Sequence, residues 1–516
     1  MIQTISSIRL NIGENDAILK EKACKIAKIS PSKIKYFKIV KKSLDARKKN
    51  DIHFVCSVVI GDEIEKEPPI IKEEFNHPKK PTVIIGSGPA GLFSALILAR
   101  KGFKPIVIER GGDVENRKKS IDDFINTRIL DKNSNVQFGE GGAGTFSDGK
   151  LNTGVKSPFS TFVLNEFVKH GANEEILYLN KPHVGSDVLP KVVKSIREEI
   201  ISLGGQYMFD TVFYDLTIKN GAVSEIFLEK DGKKFSLEVE NLILAIGHSS
   251  RDTYKMLYNR GFSMETKDTA VGFRIEHLQD DINKAQYGNN YDKRLPVADY
   301  KLTSNICSRG VFTFCMCPGG FVMPATSEEN AVVTNGMSNF LRDGKNANSA
   351  VVVQVKKEDY PSGIIEAIDY IENFEKKAFV LANSDYSAPC QLVGDFLKGK
   401  ISTGFKKVKP TYPLGVKFCD LSKIYPKIYI DCIKKSLIDM GKRLNVFDAD
   451  DAILTAPCTR TSSPVRIVRG ENLSSINIIN AYPAGETGYA GGIMSSAIDG
   501  IRVANTISEK YLIKSN

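Results

Sequence analysis

Three glycines between a short apolar strand and an apolar helix form the clearest chemical motif of this sequence. The stretch TVIIGSGPAGLFSALILARKGFKPIVIER places Gly86, Gly88 and Gly91 at the turn and Glu109 at the end of the next strand. Glycine permits the tight turn and the close backbone approach that a pyrophosphate needs, and helix N–H groups bind phosphate oxygens. Glu109 can accept from ribose hydroxyls. The unit predicts a dinucleotide site, with further contacts at Pro89, Ala90, Arg110 and Arg117.

A second glycine run, VQFGEGGAGTFSDGKL, also reads as G-x-G-x-x-G but lacks the matching surroundings. It follows KNSNVQ rather than an apolar strand, and no apolar helix face comes after it. Small residues in a loop suit close approach to a flat ring. The run is therefore predicted to cradle part of the same cofactor, with Lys150 as a cation near developing negative charge. The loop residues concerned are Gly139, Gly141, Gly142, Ala143, Gly144 and Thr145.

Cys315 and Cys317 in FCMCPGG are candidates for redox chemistry. Spacing by two would place both thiols on one face of a strand, but a C-x-C pair closes a very short loop and strains a disulfide. A redox or substrate-facing role and simple packing beside the PGG turn both stay open.

Charged and imidazole side chains supply the other catalytic candidates. Arg460 and Arg466 in TRTSSPVRI could hold a carboxylate or phosphate, or could serve as ion pairs and loop anchors. His183 could form a proton-transfer pair with Asp187, unless Asp187 caps the helix that follows. His248 in GHSSRD is a further proton donor. No metal-ligand spacing is found, so no metal is predicted.

These residues need elements that bring them together. From Pro81 the chain reads strand, glycine turn, helix and strand; a β-meander follows near residues 206–247, and INIINAYPAGETGYAGGIMSSAIDGIRVA repeats strand, turn and helix. Residues 1 to about 62 read as a small α+β unit, joined by the Pro-rich, charged linker EKEPPIIKEEFNHPKKP. The predicted fold is α/β with α+β parts.

Composition excludes several classes of protein. The 516 residues are 42% hydrophobic and 26% charged, which is typical of a globular protein. We see no spanning apolar run, no secretion signal and no C-x-x-C pair, so a cytoplasmic location is expected. The net charge of +10 lies between Lys20 and Lys49, where twelve Lys or Arg face two acidic residues. This cluster could face nucleic acid or form a solvated surface.

Two later segments identify the dinucleotide by resemblance. LILAIG and NAYPAGE resemble the second and third motifs of the glutathione-reductase type of FAD-binding domain. The resemblance assigns Gly247, Gly485 and Glu486 to FAD, and the second glycine run to the flavin end. It also directs the helix N-terminus at Gly491, Gly492 and Ile493 toward the flavin, where it would favour the anionic reduced form.

The motifs FGEGGAGTFSDGKL, KPHVGSDVL, LAIGHSSRDTY, AVGFRIEH, FTFCMCPGG and TRTSSPVRI together resemble a narrower group. This is the bacterial family of uncharacterised FAD-dependent dehydrogenases, also described as NAD(FAD)-utilizing dehydrogenases. The resemblance covers nearly the whole chain. The chain departs from it in the shorter GETGYAGG loop and at Cys458, where the family pattern has Glu.

The resemblance implies an oxidoreductase that transfers hydride between FAD and an organic substrate, with NADH or NADPH as a transient electron donor. A small-molecule substrate, which the two arginines would suit if it is anionic, is the first partner class. An FAD-containing RNA-binding or RNA-modifying protein, using the basic N-terminal unit, is the alternative. The predicted domains are an N-terminal unit at 1–75, an FAD domain at 76–160, 201–252 and 473–516, and a substrate cap at 161–200 and 253–472.

Overall fold

The computed structural model describes residues 2–62 and 74–513, so the central part of the predicted linker, 63–73, lies outside the described residues. The N-terminal unit folds as the sequence pattern predicts. Its elements are β1 (Ile2–Asn11), α1 (Asp16–Ala27), β2 (Tyr36–Asp45) and β3 (His53–Gly61). The antiparallel sheet has the order β1–β3–β2, and its own apolar core includes Leu10, Leu19 and Val58.

Strand β2 also joins this unit to the rest of the protein. The Lys42 N–H donates to the Tyr178 carbonyl at 2.8 Å, and the Asn180 N–H donates to the Lys42 carbonyl at 3.1 Å. Phe37, one of the two aromatic residues within the basic run, lies half-buried against the core of the unit. The nucleic-acid alternative stays a prediction.

The next segment builds most of a parallel sheet with its helices. Its elements are β4 (Thr82–Ile85), α2 (Pro89–Arg100), β5 (Ile106–Ile108), α3 (Val114–Thr127), α4 (Phe159–Lys169), α5 (Leu189–Ser202), β6 (Gln206–Met208), β7 (Thr211–Lys219), β8 (Ala222–Lys230), β9 (Lys233–Glu238) and β10 (Asn241–Leu244). β7, β8 and β9 form the predicted antiparallel meander. All four residues of β4 are buried, as expected for a strand covered on both faces.

Residues 251–467 form a second, larger sheet with its own helices. The elements are α6 (Arg251–Asn259), β11 (Met264–Thr266), β12 (Thr269–Leu278), α7 (Gln279–Tyr287), β13 (Thr303–Ser304), β14 (Val311–Cys317), β15 (Phe321–Pro324), β16 (Thr334–Met337), β17 (Asn346–Val355), α8 (Ile364–Leu381), β18 (Ala388–Leu392), α9 (Val393–Lys398), β19 (Val416–Phe418), α10 (Lys427–Gly441), β20 (Ile453–Cys458) and β21 (Val465–Ile467). Seven of these strands form one mixed sheet in the order β13–β14–β17–β12–β20–β18–β19. We call this segment the cap.

The chain then returns to the first sheet through β22 (Ala481–Pro483) and α11 (Ile493–Glu509). The completed parallel sheet has the order β22–β10–β4–β5–β6. α11 lies directly against α2, and a Cβ at Gly500 would stand 2.2 Å from the Ala90 carbonyl oxygen. Strands β10 and β22, which follow β4 by about 160 and about 400 residues, thus meet it in one sheet.

Helices α4 and α5 pack against the helices of the parallel sheet, whereas the sequence-based boundaries assigned residues 161–200 to the cap. Their apolar side chains, among them Phe167 and Ile196, share one core with α2 and α11. Arg100 of α2 also pairs with Glu166 of α4 at 2.6 Å and Glu199 of α5 at 2.7 Å. The apolar faces of these helices are visible in the sequence, but the sequence does not indicate which layer they cover. Among the described helices, none is long and apolar enough to cross a membrane.

Candidate functional site

A cavity of about 940 Å³ lies between the parallel sheet and the cap. Residues that follow the carboxyl ends of β4, β5, β10 and β22 form one wall, and residues of β12, β14 and β16 form another. In open α/β sheets, ligands bind at this edge of the strands. The cavity therefore lies where the strand–turn–helix motif predicts a cofactor.

The first glycine turn has the predicted geometry. Gly86 has φ +97°, and a Cβ on Gly91 would stand 1.9 Å from the Gly86 carbonyl oxygen. No side chain caps the N-terminus of α2 at Gly88. Gly86, Gly88, Pro89 and Ala90 line the cavity, whereas Gly91 serves the close packing of helix on strand.

Glu109 lines the cavity, but its carboxylate is already bonded within the protein. One oxygen accepts from the N–H and hydroxyl of Ser87 at 2.9 and 2.7 Å. The other accepts from the N–H groups of Gly111 and Gly139 at 3.1 and 3.0 Å. A carboxylate offers about four acceptor positions, so all of them are used. Glu109 thus ties the two glycine runs together, and its contact with a ribose stays a prediction.

The second glycine run faces the first one across the same cavity. A Cβ on Gly142 would stand 3.0 Å from the Gly88 Cα, and one on Gly144 would stand 2.9 Å from the Ile493 side chain. Gly139, Gly142, Ala143 and Gly144 line the cavity. Gly141 and Thr145 lie behind the loop, where the Thr145 hydroxyl donates to the Glu140 carbonyl at 3.3 Å. The two glycine runs therefore belong to one site.

Arg117 was predicted to contact the cofactor, but the structure gives it a different position. Its side chain is fully buried behind the second glycine run and does not line the cavity. The guanidinium donates to five carbonyl oxygens at 2.7–3.2 Å, those of Asn135, Val136, Gly139, Glu140 and Gly142. Burial lowers the pKa of Arg117 to about 10. The residue holds the loop in shape from behind.

The C-terminal turn adds a third wall. Glu486, Gly491, Gly492 and Ile493 line the cavity, and Gly485 lies just outside it. Glu486 pairs with Lys267 at 2.6 Å and accepts from the Ser463 N–H at 3.0 Å. Gly492 has φ +89°, a Cβ added there would meet nothing within 4 Å, and no side chain caps α11 at this residue. Gly247, φ +68°, is similarly open toward the cavity.

We call the part of the cavity that the three glycine turns line the glycine wall. Lys150 lies where the glycine wall meets the cap. Its ammonium group pairs with Asp148 at 2.8 Å and donates to the Met316 carbonyl. Arg342 pairs with the same carboxylate at 2.5 Å. Lys150 and Arg342 hold the pKa of the buried Asp148 carboxyl well below its usual range. One carboxylate thus serves two cations, which leaves positive charge at this place.

The two cysteines do not share one strand face as predicted. A bulge in β14 between Phe314 and Cys317, with Cys315 at φ +44°, interrupts the alternation. The Cys315 thiol reaches the cavity surface, and desolvation raises its pKa to about 11. Cys317 is buried and donates its S–H to the Cys315 carbonyl at 3.3 Å. Both residues line the cavity as free thiols.

The two predicted arginines separate in the structure. Arg460 lines the cavity and donates to Glu375 at 3.0 Å, within a buried group that also includes Arg251. Arg466 lies away from the cavity, where it pairs with Glu265 at 2.5 Å and both side chains are almost half exposed. β21 pairs with β11, and Arg466 stands opposite Glu265 in that register, which accounts for its outward position.

The two histidines also differ. Desolvation and the cations Arg460 and Lys267 lower the pKa of His248, which lines the cavity, to about 3. It is therefore neutral at physiological pH. His183 does not line the cavity, and its Nε2–H donates to the Phe340 carbonyl at 2.9 Å. Asp187 accepts from the Phe340 N–H at 2.7 Å. Neither alternative of the sequence analysis is found: His183 and Asp187 both bond to the backbone of Phe340, and no described side chain caps α5.

Sequence reasoning missed two lining residues that carry unpaired donors. Gln137 accepts from Ser249 at 3.0 Å, but its Nε2 has no partner among the described residues. Arg274, in the middle of β12, is fully buried and lines the cavity. An arginine inside the apolar strand AVGFRIEH was the available signal. We define the cap end of the cavity as the part lined by Asp148, Lys150, Lys181, Arg274, Asp299, Lys301, Cys315 and Arg342.

Three families match successive and partly overlapping parts of the chain. Residues 80–285 match the family described as pyridine nucleotide-disulphide oxidoreductase, residues 268–461 match the family described as FAD-dependent protein, C-terminal domain-like, and residues 1–61 match a domain of unknown function. An uncharacterized protein of Clostridium beijerinckii is 46% identical over an alignment 529 positions long, which covers 98% of each chain.

The solved structures compared with this chain have low sequence identities and low TM-scores. Glycine oxidase from Bacillus cereus is 12% identical with a TM-score of 0.35, over 85% of this chain and 99% of that one. A geranylgeranyl bacteriochlorophyll reductase-like protein from Thermoplasma acidophilum is 10% identical with a TM-score of 0.36, over 84% and 79%. Similarity at this level says nothing about the substrate.

Proposed function

The chain belongs to the bacterial family of FAD-dependent oxidoreductases that its motifs resemble, and from that premise we propose that it transfers hydride between FAD and an organic substrate held at the cap end of the cavity. FAD supplies the hydride chemistry when bound, while the protein supplies binding, orientation and electrostatics. One observation carries the proposal: a single cavity has a glycine wall on one side and cap side chains on the other.

The residues of the glycine wall fit FAD. Gly88 and Gly142 approach so closely that a Cβ on either would narrow the space between the two runs. The N-termini of α2 and α11 carry no side-chain caps and open toward the cavity, so both offer N–H groups to phosphate or to the flavin. The unpaired Nε2 of Gln137 is a further buried donor. We propose that the lining residues of the three glycine turns hold the cofactor.

Positive charge at the cavity surface supports a role in stabilising electron-rich species. Lys150 and the N-terminus of α11 both place positive charge at the cavity surface, which favours negative charge on a bound ring or substrate. His248 is neutral and bonded to Ser249 at 2.7 Å. We therefore propose that His248 orients a ligand through a neutral hydrogen bond, rather than donating a proton as an imidazolium.

The electron donor must use the same cavity. Because the second glycine run contributes to the first site, we propose that NADH or NADPH enters transiently beside the cap. We propose that the parallel-sheet layer, which α4 and α5 cover, binds the cofactor, and that residues 253–472 together with Lys150 and Lys181 bind the substrate. All nine cysteines are free thiols, which supports the proposal of a reducing, cytoplasmic location.

Anaerobic rapid mixing of the FAD-loaded protein with NADH and with NADPH tests the proposal. Loss of flavin absorbance faster than that of free FAD under the same conditions is the expected result, followed by reoxidation with the right substrate. A protein that is colourless and takes up no FAD after unfolding and reconstitution would contradict the cofactor site. An FAD-loaded protein that neither nucleotide reduces faster than free FAD would contradict the proposed electron donor.

A further inference from the structure

Arg274 stands out at the cap end because none of the described carboxylates forms an ion pair with it. Its side chain is fully buried on β12, and no carboxylate among the described residues lies within ion-pair distance of it. Glu276, two positions along the strand, instead accepts from Asn346 at 3.0 Å and from the Thr411 hydroxyl at 2.5 Å. Buried charges in proteins are normally paired. An unpaired guanidinium in a cavity wall indicates a ligand of opposite charge.

The hydrogen bonds of Arg274 leave one nitrogen free. Nε donates to the Asn348 side-chain oxygen at 3.0 Å, and Nη2 donates to the same oxygen and to the Cys315 carbonyl at 2.8 Å. Nη1 has no partner among the described residues, although it is buried. The other two nitrogens fix the plane of the guanidinium, so the free N–H groups have a defined position.

The surroundings of Arg274 add to the positive charge. Five cations line the cap end, namely Lys150, Lys181, Arg274, Lys301 and Arg342, against two carboxylates, Asp148 and Asp299. Asp299 pairs with Lys181 at 2.6 Å, and Asp148 serves both Lys150 and Arg342. The cap end therefore carries an excess of three positive charges. Water screens the charges of Lys181 and Lys301, which are exposed, but it does not reach the buried guanidinium of Arg274, whose charge a neutral apolar substrate would leave uncompensated.

We infer that Arg274 is the anchor of a substrate carboxylate, and that the substrate of this protein is an organic acid held by Nη1 of Arg274 and by Lys150. The inference rests on the proposed function, because it places the acid in the cavity that FAD shares. A carboxylate fits the geometry since one nitrogen, rather than a ring of donors, is free. Cys315, whose carbonyl positions Nη2, then lies beside the bound acid.

Binding of simple carboxylates to the FAD-loaded protein tests the inference. Acetate, succinate and benzoate are titrated by calorimetry and by the flavin difference spectrum, with benzamide as the uncharged counterpart of benzoate. We expect at least one carboxylate to bind saturably, and benzoate to bind about tenfold or more tightly than benzamide, because a charge-assisted bond is lost in the amide. The failure of all three acids to bind saturably would overturn the inference.

Variants separate Arg274 from the general charge of the cavity. Arg274→Gln should weaken carboxylate binding about tenfold or more, and Arg274→Lys should restore part of it. Arg309→Gln is the matched control, since Arg309 pairs with Asp359 at 2.5 Å and does not line the cavity. Undiminished carboxylate binding in Arg274→Gln would overturn the inference, as would an equal loss in Arg309→Gln.

Two further outcomes are distinguishable. If inorganic phosphate displaces benzoate and binds more tightly than every carboxylate, the acid assignment is wrong. If Arg274→Gln does not fold, the comparison of benzoate with benzamide on the unchanged protein still decides the point. Failure of the proposed function has a different signature, because the unchanged protein would then hold no FAD and give no flavin spectrum to perturb.

Discussion

At the scale of single residues, the charged groups nearest the glycine runs bond to the surrounding chain rather than to the cavity. Glu109 accepts four hydrogen bonds from backbone and Ser87 groups, and Arg117 donates to five carbonyls. Glycine-rich loops have many accessible conformations. These two side chains select one conformation before any ligand arrives, which reduces the entropy cost of binding.

Arg117→Met should therefore disrupt the cofactor site without touching the cofactor. Five carbonyls would lose their partner, and we expect a destabilisation of about 3–5 kcal/mol and an FAD affinity at least about tenfold lower. The FAD content after purification and the dissociation constant on reconstitution are the measurements. Arg466→Met is the control, because an exposed pair with Glu265 contributes about 0–1 kcal/mol. Equal FAD retention in the two variants would show that Arg117 does not shape the loop.

The buried His277 should make the free energy of unfolding depend on pH. Burial lowers its pKa to about 4, and its Nε2–H donates to the Phe447 carbonyl at 3.0 Å. An unfolded chain has an ordinary histidine pKa of about 6.5, so between about pH 6.5 and pH 4 the unfolded state binds more protons. The free energy of unfolding should therefore decrease as the pH is lowered through this window, by up to about 1.4 kcal/mol per pH unit from this residue alone.

The variant His277→Gln lacks this titration, so its urea midpoint should decline less than that of the unchanged protein between pH 6.5 and pH 5. Above about pH 7 the difference between the two midpoints should be constant, which controls for the packing change. Parallel curves over the whole range would contradict the assignment of the neutral buried histidine.

At the scale of elements, the sequence predicts what is local. The first strand, turn and helix, the meander and the N-terminal unit follow from hydrophobic period and turn residues. As the context of the second glycine run predicts, no described strand directly precedes it and no α-helix begins at it. The sequence does not show that Gly142 meets Gly88, because that contact depends on the path of about fifty residues between them. Nor does the spacing of Cys315 and Cys317 reveal the bulge in β14.

Gly142→Ala tests the contact of the two turns. Gly142 has φ +64°, and its added Cβ would stand 3.0 Å from the Gly88 Cα, so the variant combines backbone strain with a steric conflict. We expect a loss of FAD affinity of about tenfold or more, since the backbone of both turns must shift. Calorimetric titration of the FAD-free protein with FAD measures it.

Gly232→Ala is the control for strain alone. Gly232 has φ +72° in the turn between β8 and β9, with nothing within 4 Å of its Cβ position. This change should cost about 1–2 kcal/mol of stability and leave FAD affinity unchanged. If the two alanine variants bind FAD equally well, the close approach of the glycine runs has no role in the site.

At the scale of the whole molecule, the site exists because distant segments converge. β22 lies beside β10, and α11 lies on α2, although about 400 residues separate the helices. Sequence periodicity cannot indicate such pairings, and the family resemblance implied only that these separated segments belong to one FAD-binding domain. Within the cap, a fully buried carboxylate, Glu375 of α8, pairs with Arg251 at 2.7 Å and Arg460 at 3.0 Å, and so fixes the place where the cap leaves the parallel sheet. Arg251 begins α6, directly after the turn that follows β10.

Glu375→Gln should loosen the cap where it begins, directly after the turn that follows β10, and where Arg460 lines the cavity. Arg251 and Arg460 hold the pKa of Glu375 below its usual range, so the ion pairs persist at neutral pH, and their loss leaves two buried cations uncompensated. We expect a destabilisation of about 3–5 kcal/mol, together with faster dissociation of FAD, because Arg460 itself lines the cavity. Thermal unfolding and the release of flavin fluorescence on dilution measure the two effects. Glu265→Gln, which removes the exposed partner of Arg466, should change neither. A Glu375→Gln protein that is less stable but releases FAD at the original rate would show that the cap and the cofactor layer are not coupled through this carboxylate.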